Sequence, residues 1–367
     1  MTCRRLATEQ LLLPTARMTT RNQVGFAVGL LAAAAAFTRV KRMSRRLDFG
    51  GRSVVITGGS RGLGLLVARQ LAREGAFLTI AARDRRELEV ARTELEASGA
   101  HVSSVVCDIG VPSEARDLIH QVVDRTGRID VLINNAGIMT VGPIEHMTPA
   151  DFERAMDVHF RGPLHTMLAA IPFMKQQAMG RIVNVSSIGG KIGVPHLAPY
   201  CASKFALTGL SESLRAELVK DGIYVTGVFP GLMRTGSPFN ALFKGRHREE
   251  FMWFAISGSL PLVTVEASRA ASKLIDACRY GDAEVVIGWP ARVAIISEAV
   301  APGLVARAAF LANRFVLPAP EANPGLESYS GWQSISRAAP SFLTKLTDRA
   351  ALQNNEVPAS GRPAPSR

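Results

Sequence analysis

Ser53-Val54-Val55-Ile56-Thr57-Gly58-Gly59-Ser60-Arg61-Gly62-Leu63-Gly64 decides how the rest of the chain is read. A short β-branched run leads directly into a glycine-rich turn, and a helix is expected to open near Leu65. Glycines let a backbone turn sharply and approach a pyrophosphate, whose charge is stabilised by free N–H groups at a helix N-terminus. Such a turn alone is weak evidence. Its place between a strand and a helix makes it a dinucleotide-binding signal.

Outward from this stretch, similar runs recur at 77–81, 102–107, 130–134, 181–186, 223–229 and 284–287, separated by segments of helical length and pattern. The alternation predicts an α/β fold, a doubly wound parallel sheet of Rossmann type with about seven strands and helices on both faces. In that architecture ligands bind beyond the carboxyl ends of the strands, where the strand order switches. The ends of the first, fourth, fifth and sixth strands are therefore the places to look for chemistry.

The second run ends Ala81-Ala82-Arg83-Asp84, where an adenosine ribose is expected. An acid directly after the strand suits a 2′-hydroxyl, whereas Arg83 helped by Arg61 suits a 2′-phosphate through charge-assisted bonds. NADP(H) is favoured, with NAD(H) as the alternative in which Asp84 takes the ribose. Asp108 either meets the adenine amine or caps the next helix. The fourth run ends Asn134-Asn135-Ala136-Gly137, where small residues allow a close approach and the amides can bind backbone or ribose.

After the fifth run come Ser186 and Ser187, and thirteen residues past Ser187 the segment Tyr200-Cys201-Ala202-Ser203-Lys204 opens a helix. Tyr and Lys four apart share one helical face. A cation about 5 Å from a phenol, at an effective dielectric of about 20, favours phenolate by roughly 3 kcal/mol, which lowers a pKa near 10 by about 2. Tyr200 is thus a candidate for proton exchange near neutral pH.

Together the TGxxxGxG turn, Asn134-Asn135-Ala136-Gly137, the serine, the YxxxK pair and Pro230-Gly231 resemble the short-chain dehydrogenase/reductase family over about residues 50–290. The resemblance implies that Ser187 holds the substrate oxygen, Tyr200 is the general acid/base and Lys204 also binds the nicotinamide ribose. It implies a cofactor cleft made by Thr57, Gly58, Ser60, Arg61, Gly62, Leu63, Gly64, Arg83, Asp108, Ile109, Asn135, Ala136, Gly137, Tyr200, Lys204, Pro230, Gly231, Met233 and Thr235. One position departs from the family pattern. Val158-His159-Phe160-Arg161-Gly162 carries His159 where the family has an asparagine that supports a water relay to the lysine. His159 is expected either to serve that relay or to be a packed residue. The alternative to an oxidoreductase is a catalytically weak, NADP(H)-binding sensor at a membrane, which the departure at His159 would favour.

The 367 residues, 47% hydrophobic and 20% charged, carry a net charge of +12. Residues 1–46 hold nine Lys/Arg against one Glu, and residues 327–367 five basic against three acidic, so the chain between them is nearly neutral. A nucleic-acid-binding domain would instead cluster basic residues on a folded face. Nucleic acid is not an expected partner. Four scattered cysteines form no disulfide framework or zinc motif, and no metal is expected.

Four segments are expected. Residues 1–46 form a basic arm in which 22–38 is uncharged and about 25 Å long as a helix, the short limit for a membrane anchor. The basic flank after it would leave the main domain in the cytoplasm; the alternative is a soluble cytoplasmic protein. Residues 47–290 form the catalytic domain, 291–317 an amphipathic helical extension for a lipid surface, its own domain or a partner subunit, and 318–367 a proline-rich, disordered tail. Leu232 to Val265 is a long insert rich in aromatic residues. It either covers a lipophilic carbonyl or alcohol substrate or packs as its own small core or dimer contact. A homo-oligomer is expected.

Overall fold

Three consecutive β-branched residues, Val54, Val55 and Ile56, are fully buried in the first strand of the sheet. They can all be buried because both faces of the sheet are covered. In the computed structural model, which describes residues 36–260, 263–321, 325–335 and 341–357, the strands of this sheet are β1 (Ser53–Thr57), β2 (Phe77–Ala82), β3 (Val102–Val106), β4 (Val131–Asn134), β6 (Gly180–Val185), β7 (Ile223–Pro230) and β11 (Glu284–Ile287). They lie in the order β11-β7-β6-β4-β1-β2-β3, every neighbour parallel. Each expected strand is present with its ends moved by at most one residue. Five two-residue strands lie outside the sheet: β5 (Thr140–Val141), β8 (Met233–Arg234), β9 (Leu242–Phe243), β10 (Val265–Glu266) and β12 (Tyr329–Ser330).

The chain divides at Arg45 and Arg46 into two units. In the first, residues 36–43 are helical (α1); residues 22–35 of the expected anchor lie outside the described residues. No helix among the described residues is long and apolar enough to cross a membrane.

In the second unit, alternate strand residues feed opposite layers. Val54, Ile56 and Ile133 pack with Leu65 and Leu71 of α2 (Gly62–Arg73), Leu88 and Leu95 of α3 (Arg85–Ala97) and Leu274 of α10 (Ala267–Tyr280). Val55 and Leu132 face α4 (Pro112–Thr126) and α6 (Gly162–Gln176), through Leu118, Ile119, Met167 and Met174, with Leu218 of α7 (Ala198–Leu218) in the same cluster. Each such side chain contributes about 1.5–3 kcal/mol of burial. Before α6, α5 (Pro149–Met156) runs through a π-helical turn, Asp157–Arg161.

In the C-terminal third the extension is helical as expected, and the tail departs from the expectation. The extension is a pair of helices, α11 (Trp289–Val300) and α12 (Pro302–Phe315), because Pro302 lacks the N–H that a continuous helix would use. Trp289, Ile296, Val300, Leu304, Phe310 and Phe315 on it are all more than half exposed. The tail, expected to be disordered, is ordered where it is described. Its β12 pairs antiparallel with β9, and α13 (Gly331–Ser334) buries Trp332. Thr347 of α14 (Ser341–Gln353) is hydrogen-bonded to Ser259, beyond α9 (His247–Ser257). Proline content misled here because the order comes from contacts with the insert, not from local propensity.

Candidate active site

The turn after β1 is held from below by the segment after β4. Thr57 Oγ1 accepts the N–H of Asn135 (3.1 Å) and of Ala136 (3.2 Å), and the Asn135 amide donates to the carbonyls of Thr57 and Gly58. Of the two roles open to the asparagine amides, Asn135 therefore takes the backbone one. Gly58 has φ +65°, and a Cβ there would sit 2.8 Å from Ala136 Cα, so the two segments meet this closely only with glycine. Ser60 and Leu63 are buried, and Gly62, Leu63 and Gly64 open α2 at the carboxyl end of the sheet.

The cleft fits a dinucleotide at the glycine-rich turn: a glycine cradle faces the start of a helix whose first N–H groups have no partner within the helix. Arg83, after β2, is an exposed guanidinium 3.9 Å from Asp108. Asp84 instead caps α3, accepting the N–H of Glu87. Asp108 accepts the N–H of Gly110 and does not cap α4, and Ile109 is buried beside it. Arg61 is tied to Glu87 at 2.8 Å, and Ser60 bonds the same carboxylate. The sequence reading missed Glu87; its only signal was an acid in the first turn of the helix after β2. Past β7, Gly231 bonds Ile287 of the edge strand, Met233 packs on the core, and Thr235 is buried with its hydroxyl on Ser237.

The catalytic candidates converge beyond β6. Ser187 caps a 3-10 turn, accepts the N–H of Gly189 and lies close enough to Tyr200 to pull on its phenol. Lys204, one turn along α7, is buried; its ammonium donates to the carbonyl of Val185 at 2.7 Å and lies 5.7 Å from the centre of the Tyr200 ring. Burial pushes the Tyr200 phenol up to about 12, against the pull of Ser187, and burial brings the Lys204 amine down to about 7. Desolvation thus sets the direction, Lys204 is not among the groups that pull the phenol down, and the expected lowering of Tyr200 is not found in the free protein.

His159 sits in the π-helical turn with both ring nitrogens engaged. Nε2 accepts the N–H of Ile138 at 3.1 Å, so it carries no proton; Nδ1 lies 2.8 Å from Ser203 Oγ, which donates its own proton to the carbonyl of Tyr200. Only the neutral Nδ1–H form satisfies all three bonds. Burial and the Lys204 charge hold its pKa well below the usual range. Both ring nitrogens thus bond protein groups, and the ring meets Tyr200 edge-on at 5.3 Å.

The family model for the short chain dehydrogenase matches residues 52–241. The chain is a short-chain dehydrogenase/reductase. Over 189 residues, half of this short-chain dehydrogenase/reductase is 37% identical to the 3-ketodihydrosphingosine reductase of Bos taurus and 38% identical to the 3-dehydrosphinganine reductase of Danio rerio, spanning 57% of each relative's length. An NADPH-dependent pterin aldehyde reductase of Arabidopsis thaliana is 35% identical over 76% of its length and half of this chain. Among solved structures, a metagenomic short-chain oxidoreductase in complex with NADP superposes with a TM-score of 0.54, at 29% identity over 66% of this chain and 98% of its own.

The insert of this short-chain dehydrogenase/reductase is mostly a third core. Phe239, Phe243, Phe251 and Phe254 are buried together, and Trp332 from the tail stacks on Phe239 at 4.6 Å. Leu197, Cys201 and Val141 join this cluster, and Tyr200, Met139 and Val194 pack against it. The aromatic residues are thus largely occupied with one another, while the side of the site next to Tyr200 is apolar. Lys244 is not a surface charge: it is buried against Asp151 at 2.5 Å.

Proposed function

We propose that the protein is an NADP(H)-dependent oxidoreductase that reduces a carbonyl group, or oxidises the corresponding secondary alcohol, on a lipophilic substrate. The observation that carries this reading is the convergence of Ser187, Tyr200 and Lys204 beyond the end of β6, with the Lys204 ammonium anchored on the Val185 carbonyl 5.7 Å from the centre of the Tyr200 ring. A bound nicotinamide would supply or accept the hydride. Ser187 orients the substrate oxygen, Tyr200 gives that oxygen its proton in reduction, and Lys204 stabilises the charge left on the phenol. The exposed guanidinium of Arg83 favours the 2′-phosphate of NADP(H) over NAD(H), and relatives include an NADPH-dependent reductase.

The apolar wall beside Tyr200 and two relatives that reduce sphingoid ketones by name support a lipophilic carbonyl as the substrate class. The more than half-exposed apolar residues of α11 and α12, interspersed with Arg292, Arg307 and Arg314, support residence at a membrane surface. The partners that engage both ring nitrogens of His159 support reading it as a positioning residue of an enzyme and weigh against the sensor alternative.

NADPH oxidation by the full chain, screened over long-chain and sphingoid ketones, tests the reading. Turnover is expected, with kcat lowered by about 10²–10⁴-fold in Tyr200→Phe. Tight NADPH binding without turnover on any carbonyl would defeat it.

A further inference from the structure

The polar segment Asn354-Asn355-Glu356, which follows α14, does not belong to any part of the site described so far. Its contacts fall on the two elements a dinucleotide needs. The carbonyl of Asn354 accepts the N–H of Gly62, the first residue of α2, at 2.9 Å. The Asn355 amide donates to the carbonyls of Ser60 (3.0 Å) and Glu87 (3.3 Å). Glu356 accepts the N–H of Gly236, next to Thr235, at 2.7 Å and is 6% exposed. Arg69 anchors the approach, donating to Asn354 Oδ1 and to the carbonyl of Gln353.

We propose that this segment docks in the cofactor cleft and competes with NADP(H) for it, so that the dinucleotide must displace the chain's own C-terminal segment to bind. The proposal rests on the dinucleotide reading given under Proposed function. A carboxylate held by the Gly236 N–H and lying against Gly62 at the start of α2 presents what a phosphate would present. An N–H already satisfied by Asn354 is not free for a second acceptor. Gly236 shows that the fit is close: a Cβ there would lie 2.7 Å from Glu356 Cβ and 2.8 Å from Ala351 Cβ. Burial pushes the Glu356 carboxyl up to about 7; the Gly236 N–H and Arg61 pull it down and Glu87 adds to the rise. Arg61, which would otherwise reach a phosphate, is meanwhile held by Glu87 at 2.8 Å. Being tethered, the segment competes at a high effective concentration, and the apparent dissociation constant rises by the inverse of the fraction of molecules with the cleft open.

Hydrogen–deuterium exchange of the full chain with and without saturating NADPH tests this. Amides of residues 347–357 are expected to exchange faster with NADPH, because the segment is displaced. Unchanged or slower exchange, as for a segment that folds over bound dinucleotide, overturns the proposal. Calorimetry of Glu356→Ala in the full chain is the second arm. NADPH should bind about tenfold tighter than to the wild type if nine molecules in ten are closed, whereas equal or weaker affinity overturns competition. Failure of both proteins to bind NADPH would end the dinucleotide reading and this one together; binding with a protected segment ends only this one.

Discussion

Tyr200 and Lys204 are displaced from their ordinary values in opposite directions, the phenol up to about 12 and the amine down to about 7, both through burial. For a reductase the signs have a clear reading. A phenol raised by burial keeps its proton across the neutral range and is ready to give it to a carbonyl oxygen. The reverse reaction needs phenolate, which becomes more abundant as pH rises towards the phenol's value. Above about 7 the amine sheds the charge that stabilises phenolate, so the driving force for proton donation falls. The expected pH profile is therefore a ketone-reduction rate that declines as pH rises from 7 to 10, while alcohol oxidation climbs. A reduction rate that increased over that range would contradict these assignments. Tyr200 and Lys204 were legible from spacing, since a tyrosine and lysine one helical turn apart must share a face; Ser187 was legible only through the family resemblance. The surroundings of His159 were not legible, because they consist of the Ile138 N–H and the Ser203 hydroxyl, which only the folded chain brings to the ring.

At the level of elements, the insert and the tail form one unit. The stack of Trp332 on Phe239 joins α13 to α8 (Ser237–Asn240), and the β12–β9 pairing repeats the connection in the backbone. Trp332→Ala is expected to cost about 3–5 kcal/mol locally, as for other buried aromatic truncations. It should speed proteolysis within residues 237–257 and 325–357 while sparing the β1–β4 half of the sheet, and limited proteolysis with mass mapping would detect this. Cleavage spread evenly over the chain, or no change at all, would count against the coupling. The seven main strands were legible because each is a β-branched run bounded by turn residues, and both faces of the sheet need such runs. The insert was only half legible. Its aromatic composition announced an apolar cluster, but whether that cluster lines a pocket or fills a core is decided by Trp332, nearly a hundred residues further on. The order of residues 354–356 left almost no trace, because the partners of the Asn355 and Glu356 side chains are main-chain groups that any sequence supplies.

For the molecule as a whole, the charge distribution and α11–α12 set the expected surroundings. Arg292, Arg307 and Arg314 against Glu298 give this hairpin a positive balance among its apolar residues, which suits an anionic lipid surface. The full chain is expected to float with vesicles containing phosphatidylglycerol, and Val300→Glu with Leu304→Glu should reduce the bound fraction several-fold. If flotation were unaltered while light scattering showed loss of a dimer, a second copy would be the occupant of that face. The break at Ala301-Pro302 has a consequence for how substrate arrives. Helices of 12 and 14 residues span about 18 and 21 Å, short of the roughly 30 Å of hydrocarbon in a bilayer. On the membrane surface proposed for it, such a hairpin would rest within a single leaflet, so a lipophilic ketone would be gathered by lateral diffusion, and turnover would follow the mole fraction of that ketone in the lipid, not its concentration in bulk water.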